Sequence, residues 1–289
     1  MSEDGGSSIV VIALLGNVFS PRWAKARRRD PTASSLDFSA MNVAVRSGSG
    51  SAWALTERGR SSVGRSSERL TIGSSTMAWE RGDLVVRIDE RTAPWGSRVR
   101  GTVRLVPQAE SQLVVHLDPS GLHTWSPQIP VAHVEVELDE PRVRFRGSGY
   151  FDVNRGAEPL EETFSSWSWS RVSAGDKVAI AYDVTLRDGR GRARSFAAER
   201  GRELAASTAD RLVDLPATRF GLTRSARGEG AAIEVVKTLE DGPFYARSVV
   251  GTTLGGRRAL GMHETLSLDR FRSAWVRFLV PFRTRVGAA

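Results

Sequence analysis

Cysteine is absent from this 289-residue chain. That excludes disulfides, thiolate catalysis and Cys-ligated zinc or iron–sulfur centres. Long apolar runs are absent too. The clearest one, Ile9 to Leu15, falls far short of the roughly 20 residues of a membrane-spanning helix. The start, Ser2-Glu3-Asp4-Gly5-Gly6, is acidic and lacks the basic region of a secretory signal. These absences predict a cytoplasmic chain, or one attached to a membrane from the cytoplasmic side. Histidine is scarce, and His116, His123, His133 and His263 form no HxH or HExxH pair. A metal site would need scattered ligands, and none is expected. The chain has no GxGxxG that follows a strand and opens a helix, no GxxxxGK[ST] and no GxSxG elbow. The common nucleotide and acyl-transfer enzymes are thereby disfavoured.

Hydrophobic residues make up 40%, enough for a core, and 41 Lys+Arg against 33 Asp+Glu give a net charge of +8, carried mostly by Arg. The arginines spread along the whole chain rather than clustering, so no nucleic-acid partner is expected. The dominant rhythm is short strands between Gly, Pro and Ser clusters. Period-two alternation runs through Leu84–Asp89, Arg98–Leu105, His133–Leu138, Arg142–Arg146 and Lys177–Val184. Such patterning predicts antiparallel sheets with one wet face, in a barrel or sandwich. One helix is expected through Trp23-Ala24-Lys25-Ala26-Arg27-Arg28, with Ser20 as N-cap and Pro21 at the first position. Gly- and Ser-rich Ser47–Ser51 and Arg60–Ser67 read as loops. Irregular Arg155–Ser166 marks a seam near residues 149–170, so the domains are read as 1–148 and 149–289, with the active site near the seam.

Aromatic and polar residues concentrate in the middle: His123-Thr124-Trp125, Gly149-Tyr150-Phe151-Asp152-Val153-Asn154 and Trp167-Ser168-Trp169-Ser170-Arg171. On strands, Tyr150, Asp152 and Asn154 share a face, as do Trp167 with Trp169 and His123 with Trp125. Taken singly, each is an ordinary core or turn residue. Taken together, they read as the lining of an apolar pocket. An acid at the bottom of such a pocket is desolvated and keeps its proton to higher pH. Aromatic faces stabilise a neighbouring cation by about 2 kcal/mol when dry. An acid with aromatic walls is what protonation of an unactivated alkene requires.

These segments resemble the carotenoid 1,2-hydratase (hydroxyneurosporene synthase) family. The resemblance extends to Gly16-Asn17-Val18-Phe19-Ser20-Pro21, Met41-Asn42-Val43-Ala44, Thr56-Glu57-Arg58-Gly59-Arg60, Glu158-Pro159-Leu160-Glu161 and Tyr182-Asp183-Val184. Late in the chain it includes Leu239 to Arg247 and His263 to Arg270. It implies two lipocalin-like antiparallel β-barrel domains with few short helices. It implies acid-catalysed addition of water to the C1=C2 bond of neurosporene or lycopene, without a cofactor, giving a tertiary alcohol. It makes Asp152 the acid, supported by His123, Trp125 and Tyr150. Trp167, Trp169 and Phe151 are our own candidates for substrate binding. Only eight residues precede Ile9, so a first strand of the first barrel is expected to be missing. A carotene is dissolved in a bilayer, so peripheral membrane contact is expected at the basic helix Arg22–Arg29, with Trp23 dipping among the headgroups. The alternative is a lipocalin-like binding protein, or another enzyme, for a different apolar small molecule.

Overall fold

Alternation becomes strand wherever it was read. In Arg98–Ala109, Val99, Val103 and Leu105 are buried while Arg100 and Arg104 face water. The computed structural model describes residues 1–207, 211–228 and 232–287. Within them the chain is all-β with a few short helices.

An N-terminal sheet runs in the order Ser8–Leu14, Ser39–Ser47, Gly50–Arg58, and Arg285–Val286 joins the last strand in parallel. A middle sheet begins with Val143–Gly156, then His123–Glu140, Arg98–Ala109 and Asp83–Arg91, and ends at short Val63–Arg65. A C-terminal sheet is built around Lys177–Leu186, Phe164–Ala174, Arg257–Ser267 and Tyr245–Leu254. Among the described residues no sheet closes on itself. The all-β expectation holds, but the hydrogen-bonded ladders are open, with Ser8–Leu14 at one edge.

The strand His123–Glu140 is the hinge of the architecture. Pro127 and Pro130 lie in its first half. Proline cannot donate to a ladder, so a strand carrying it bulges. The register against Val143–Gly156 shifts between Ser126 and Ile129 and again before Ala132. Each shift re-aims the side chains. Trp125 and Val131 join the C-terminal core, with Ile180 and Phe196. Ile129, Ala132, Val134 and Val136 join the N-terminal core, with Met41 and Val43. One strand thus serves both cores.

Val143–Gly156 runs unbroken through residues 148 and 149, paired to His123–Glu140. The chain changes sheets between Gly156 and Phe164, over the short helix Leu160–Thr163. Ser47 and Gly50 close a hairpin, as a loop there requires. Arg60–Ser67 is more ordered than a loop. It holds the turn Arg60–Ser62 and the strand Val63–Arg65, which pairs with Arg69–Ile72. The Ser66 hydroxyl accepts from the Arg69 backbone N–H at 3.1 Å and closes that hairpin.

The expected helix spans Pro21–Arg29, and the Ser20 hydroxyl accepts from the Trp23 backbone N–H at 3.2 Å. Trp23 corrects one expectation. It is buried, 5.2 Å from the Phe38 ring and beneath the Arg27 guanidinium. The helix is too short to cover its own apolar residue, so Trp23 packs inward and cannot dip among headgroups. Arg22, Lys25, Arg28 and Arg29 face outward. No helix among the described residues is long and apolar enough to cross a membrane.

Candidate active site

Strand parity assembles the site. Tyr150 and Asp152 point to one face of Val143–Gly156, toward the C-terminal sheet, and Phe151 points to the other. Phe151 packs against the N-terminal core, whereas Tyr150 packs against the C-terminal one. Across the ladder Trp125 stands opposite Asn154, so it shares the face of Asp152. Its indole is fully buried.

Two donors converge on one carboxyl oxygen. Trp125 Nε1 donates to Asp152 Oδ2 at 2.8 Å, and the Tyr150 hydroxyl donates to the same atom at 3.1 Å. Asp152 itself is half-buried because it faces a cavity. Burial pushes its pKa up to about 6, against the pull of Trp125, Tyr150 and Asn154, and the nearby Glu264 charge adds to the rise. Losing the carboxylate's hydration outweighs the hydrogen bonds that favour ionisation. Burial also raises the Tyr150 phenol well above its usual range, so it stays a donor.

The C-terminal sheet supplies the opposing wall. Trp167, Trp169 and Arg171 alternate along Phe164–Ala174, and Trp169 stands directly opposite both Tyr182 and Glu264 on the neighbouring strands. Trp169 lies 5.2 Å from the Tyr150 ring, Trp167 5.9 Å from Tyr182, and Trp125 5.2 Å from Tyr182. The buried Trp169 Nε1 has no hydrogen-bond partner among the described residues. Arg171 is buried over the Tyr150 ring, and its Nε donates to the Pro130 carbonyl at 3.1 Å. It ties the C-terminal sheet to the bulge that turns Trp125 into the site. Arg247 donates to Glu264 Oε1 at 2.7 Å and to Glu240 at 3.3 Å. Burial works against its charge, but Tyr245, Glu264 and Glu240 together raise its pKa.

The cavity these walls border extends past Phe151 to Val11 and Met77 on the N-terminal side, and as a whole measures about 1690 Å³, larger than a drug-sized pocket. Asp152, Tyr150, Trp167, Trp169, Tyr182 and Glu264 line it. The arrangement offers a cavity-facing proton donor, several aromatic faces and, opposite the acid, a carboxylate held by an arginine.

Asp152, Tyr150, Trp125, Trp167 and Trp169, all singled out from the sequence, come together. His123 lines the same cavity but stands opposite Gly156. Four residues separate Gly156 from Asp152, about 13 Å along a strand. His123 has no hydrogen bond to Asp152, and neither ring nitrogen has a hydrogen-bond partner among the described residues, although Nε2 lies 3.9 Å from Glu158 Oε1. Burial lowers its pKa, so the ring is neutral at pH 7. Gly156 makes room for it, since a Cβ there would lie 2.7 Å from Nδ1. Phe151 also borders the cavity, from the N-terminal side. Tyr182, Glu264, Tyr245 and Arg247 were missed as site residues. Their signal is parity with Trp169, readable only once the strand pairing is known.

The family profile of the carotenoid hydratase CrtC matches residues 11–287. The chain is 43% identical to an acyclic carotenoid 1,2-hydratase of Thiocapsa roseopersicina, over 99% of this chain and 71% of that protein. It is 40% identical to the enzyme of the same description from Rubrivivax gelatinosus, over 98% of this chain and 70% of that one. The fold is similar to a crystal structure of an AttH protein from Nitrosomonas europaea, with a TM-score of 0.60 and 13% identity over 79% of this chain and 81% of that one. With the profile spanning nearly every residue and such relatives matching nearly the whole of this chain, it belongs to the carotenoid hydratase family.

Proposed function

We propose that this chain is a hydro-lyase that adds water across the C1=C2 bond of acyclic carotenes such as neurosporene and lycopene. The product is a tertiary 1-hydroxy carotenoid, and no cofactor takes part, since hydration is redox-neutral. The observation that carries the reading is Asp152, a cavity-facing acid whose pKa is pushed up to about 6 between the Trp125 and Tyr150 donors.

Both donors act on Oδ2, which leaves Oδ1 as the oxygen that carries the proton. Asp152 delivers that proton to C2, and the π electrons form the new C–H bond. The positive charge falls on C1, which is tertiary. Tyr150, Trp167, Trp169 and Tyr182 line the cavity and offer π faces to the cation. As it forms, Asp152 becomes a carboxylate, and the Trp125 N–H and Tyr150 O–H stabilise the developing charge. Water adds at C1 and gives up one proton. Glu264, paired with Arg247, orients that water together with the unpartnered Trp169 N–H. The proton returns to Asp152 through solvent in the cavity. His123 contributes a neutral wall, and Phe151 bounds the cavity from the far side.

A carotene is dissolved in the bilayer, so we also infer peripheral contact with the cytoplasmic face of the inner or photosynthetic membrane. Exposed Arg22, Lys25, Arg28 and Arg29 support attraction to anionic headgroups. The deciding experiment is incubation with lycopene and with neurosporene, followed by mass analysis. A gain of one water supports the reading. Tight carotene binding without any gain of water would make the chain a carrier instead.

A further inference from the structure

From Arg270 to Gly287 the chain carries five arginines and no acidic residue. The same stretch holds the densest exposed aromatic surface of the molecule. The helix Ala274–Leu279 and the turn Val280–Arg283 bury Val276 completely. They leave Trp275, Phe278, Leu279 and Phe282 exposed by 52, 69, 46 and 64%. The Phe278 and Phe282 rings lie 5.4 Å apart and form one patch. Soluble surfaces rarely leave contiguous aromatics uncovered without a partner.

Position distinguishes this patch from scattered surface residues. Leu279 and Phe282 line the same cavity as Asp152. The helices of this otherwise all-β chain gather around that end. Arg277 pairs with Glu161 on the helix Leu160–Thr163, and Arg272 donates to the Glu161 carbonyl. Arg27, on the helix Pro21–Arg29, feels the charges of Glu161 and Glu162. Phe19, just before that helix, lies 6.2 Å from Phe271. The outward Arg28 and Arg29 follow Arg27 at this end of the molecule, to which exposed Arg272, Arg277 and Arg283 also belong.

Basic and aromatic side chains interleaved on one exposed helical face match the interface of an anionic bilayer. A second copy of this chain fits worse, because like-charged arginines would be brought together. A soluble acidic partner leaves unexplained why the aromatics continue into an apolar cavity.

We propose that this face docks on an anionic membrane, with Trp275 and Phe278 inserted at the headgroup boundary. Leu279 and Phe282 then form the doorway through which an apolar chain passes directly from the bilayer into the cavity. The doorway rests on the reading of a bilayer-borne substrate. The docking surface is the feature tested on its own.

The test uses the full chain, the Trp275→Ser/Phe278→Ser double variant, and vesicles of phosphatidylcholine with or without a third phosphatidylglycerol. Neither residue lines the cavity, and both are exposed enough to replace without unfolding the chain. The wild type should sediment with the anionic vesicles, and the double variant should bind about ten-fold or more weakly. Turnover of vesicle-borne carotene should fall in parallel. Turnover in detergent should stay within about two-fold. Acyl-chain-brominated lipid should quench part of the wild-type tryptophan fluorescence, and Trp275→Phe should lose that part while still binding. Equal vesicle binding by the double variant overturns the proposal. So does a wild-type dimer that this variant dissociates, which would make the patch a contact between copies. Asp152→Asn should bind vesicles like the wild type. Failure of hydration in every arm, with binding intact, counts against the hydratase reading and leaves the docking surface standing.

Discussion

A carboxyl that titrates near pH 6 makes both rate and stability pH-dependent. Protonated Asp152 is the acid, so hydration should be highest at low pH and fall tenfold per unit above about pH 6. Asp152→Asn keeps the shape and loses the proton, and kcat should drop by roughly 10²–10⁴-fold. The folded state also holds this proton more tightly than the unfolded state. Its stabilisation is therefore complete below about pH 3.8 and is lost as pH rises through about 6. A rise from 3.8 to about 6 corresponds to roughly 3 kcal/mol. Asp152→Asn removes that loss, so the Tm of the variant relative to wild type should be higher at pH 8 than at pH 4. An unchanged difference would mean that Asp152 titrates normally. Two neighbours should move the rate profile in opposite directions. The Tyr150 hydroxyl favours the carboxylate, so Tyr150→Phe should shift the descending limb to higher pH. Glu264 disfavours it, so Glu264→Gln should shift the limb to lower pH and lower the plateau, as a water-orienting role requires. Shifts of the same sign would break the assignment.

At the scale of elements, the site depends on how one ladder is read. Period two was enough to predict that Tyr150 and Asp152 share a face, and that Trp167 shares one with Trp169. The same parity, applied one residue along, sends Phe151 to the N-terminal core. From there it still borders the cavity. Glu264 was not legible in this way. It meets Trp169 across a ladder between strands far apart in sequence, and no local pattern specifies such a pairing. Tyr182, by contrast, meets Trp169 across a hairpin closed between Ala174 and Lys177, where Gly175-Asp176 is a local turn signal. The prolines at 127 and 130 were readable as breaks, but their effect was not. They split one strand between two cores and deliver Trp125 to Asp152. The ladder also makes a steric prediction at Gly156, where any side chain meets the buried His123 ring, itself 4.9 Å from Phe164. Gly156→Val should cost about 1–3 kcal/mol of stability, read by denaturant unfolding, while Gly48→Ala, in open space, should cost far less.

At the scale of the whole molecule, composition predicted the class and missed the closure. Alternating strands announce sheets, but nothing in a period-two pattern says whether the last strand returns to the first, and among the described residues the ladders stay open. Charge was legible as a total and not as a place. The +8 excess looked evenly spread, yet the fold gathers Arg28, Arg29, Arg272, Arg277 and Arg283 around one helical end. The two contributions to membrane binding then separate by salt. Exposed charges are screened over about 8 Å at physiological ionic strength, whereas apolar insertion is not weakened by salt. Arg28→Gln/Arg29→Gln should weaken binding to anionic vesicles at low salt and flatten its salt dependence. Neither residue lines the cavity, so turnover in detergent should be unchanged. Trp275→Ser/Phe278→Ser should weaken binding at every salt concentration and leave the slope as steep as in the wild type. Co-sedimentation across a sodium chloride series measures both slopes. If the arginine variant kept the wild-type slope, the charge near the helix Pro21–Arg29 would have no part in docking, and the attraction would have to come from the arginines after Arg270 alone.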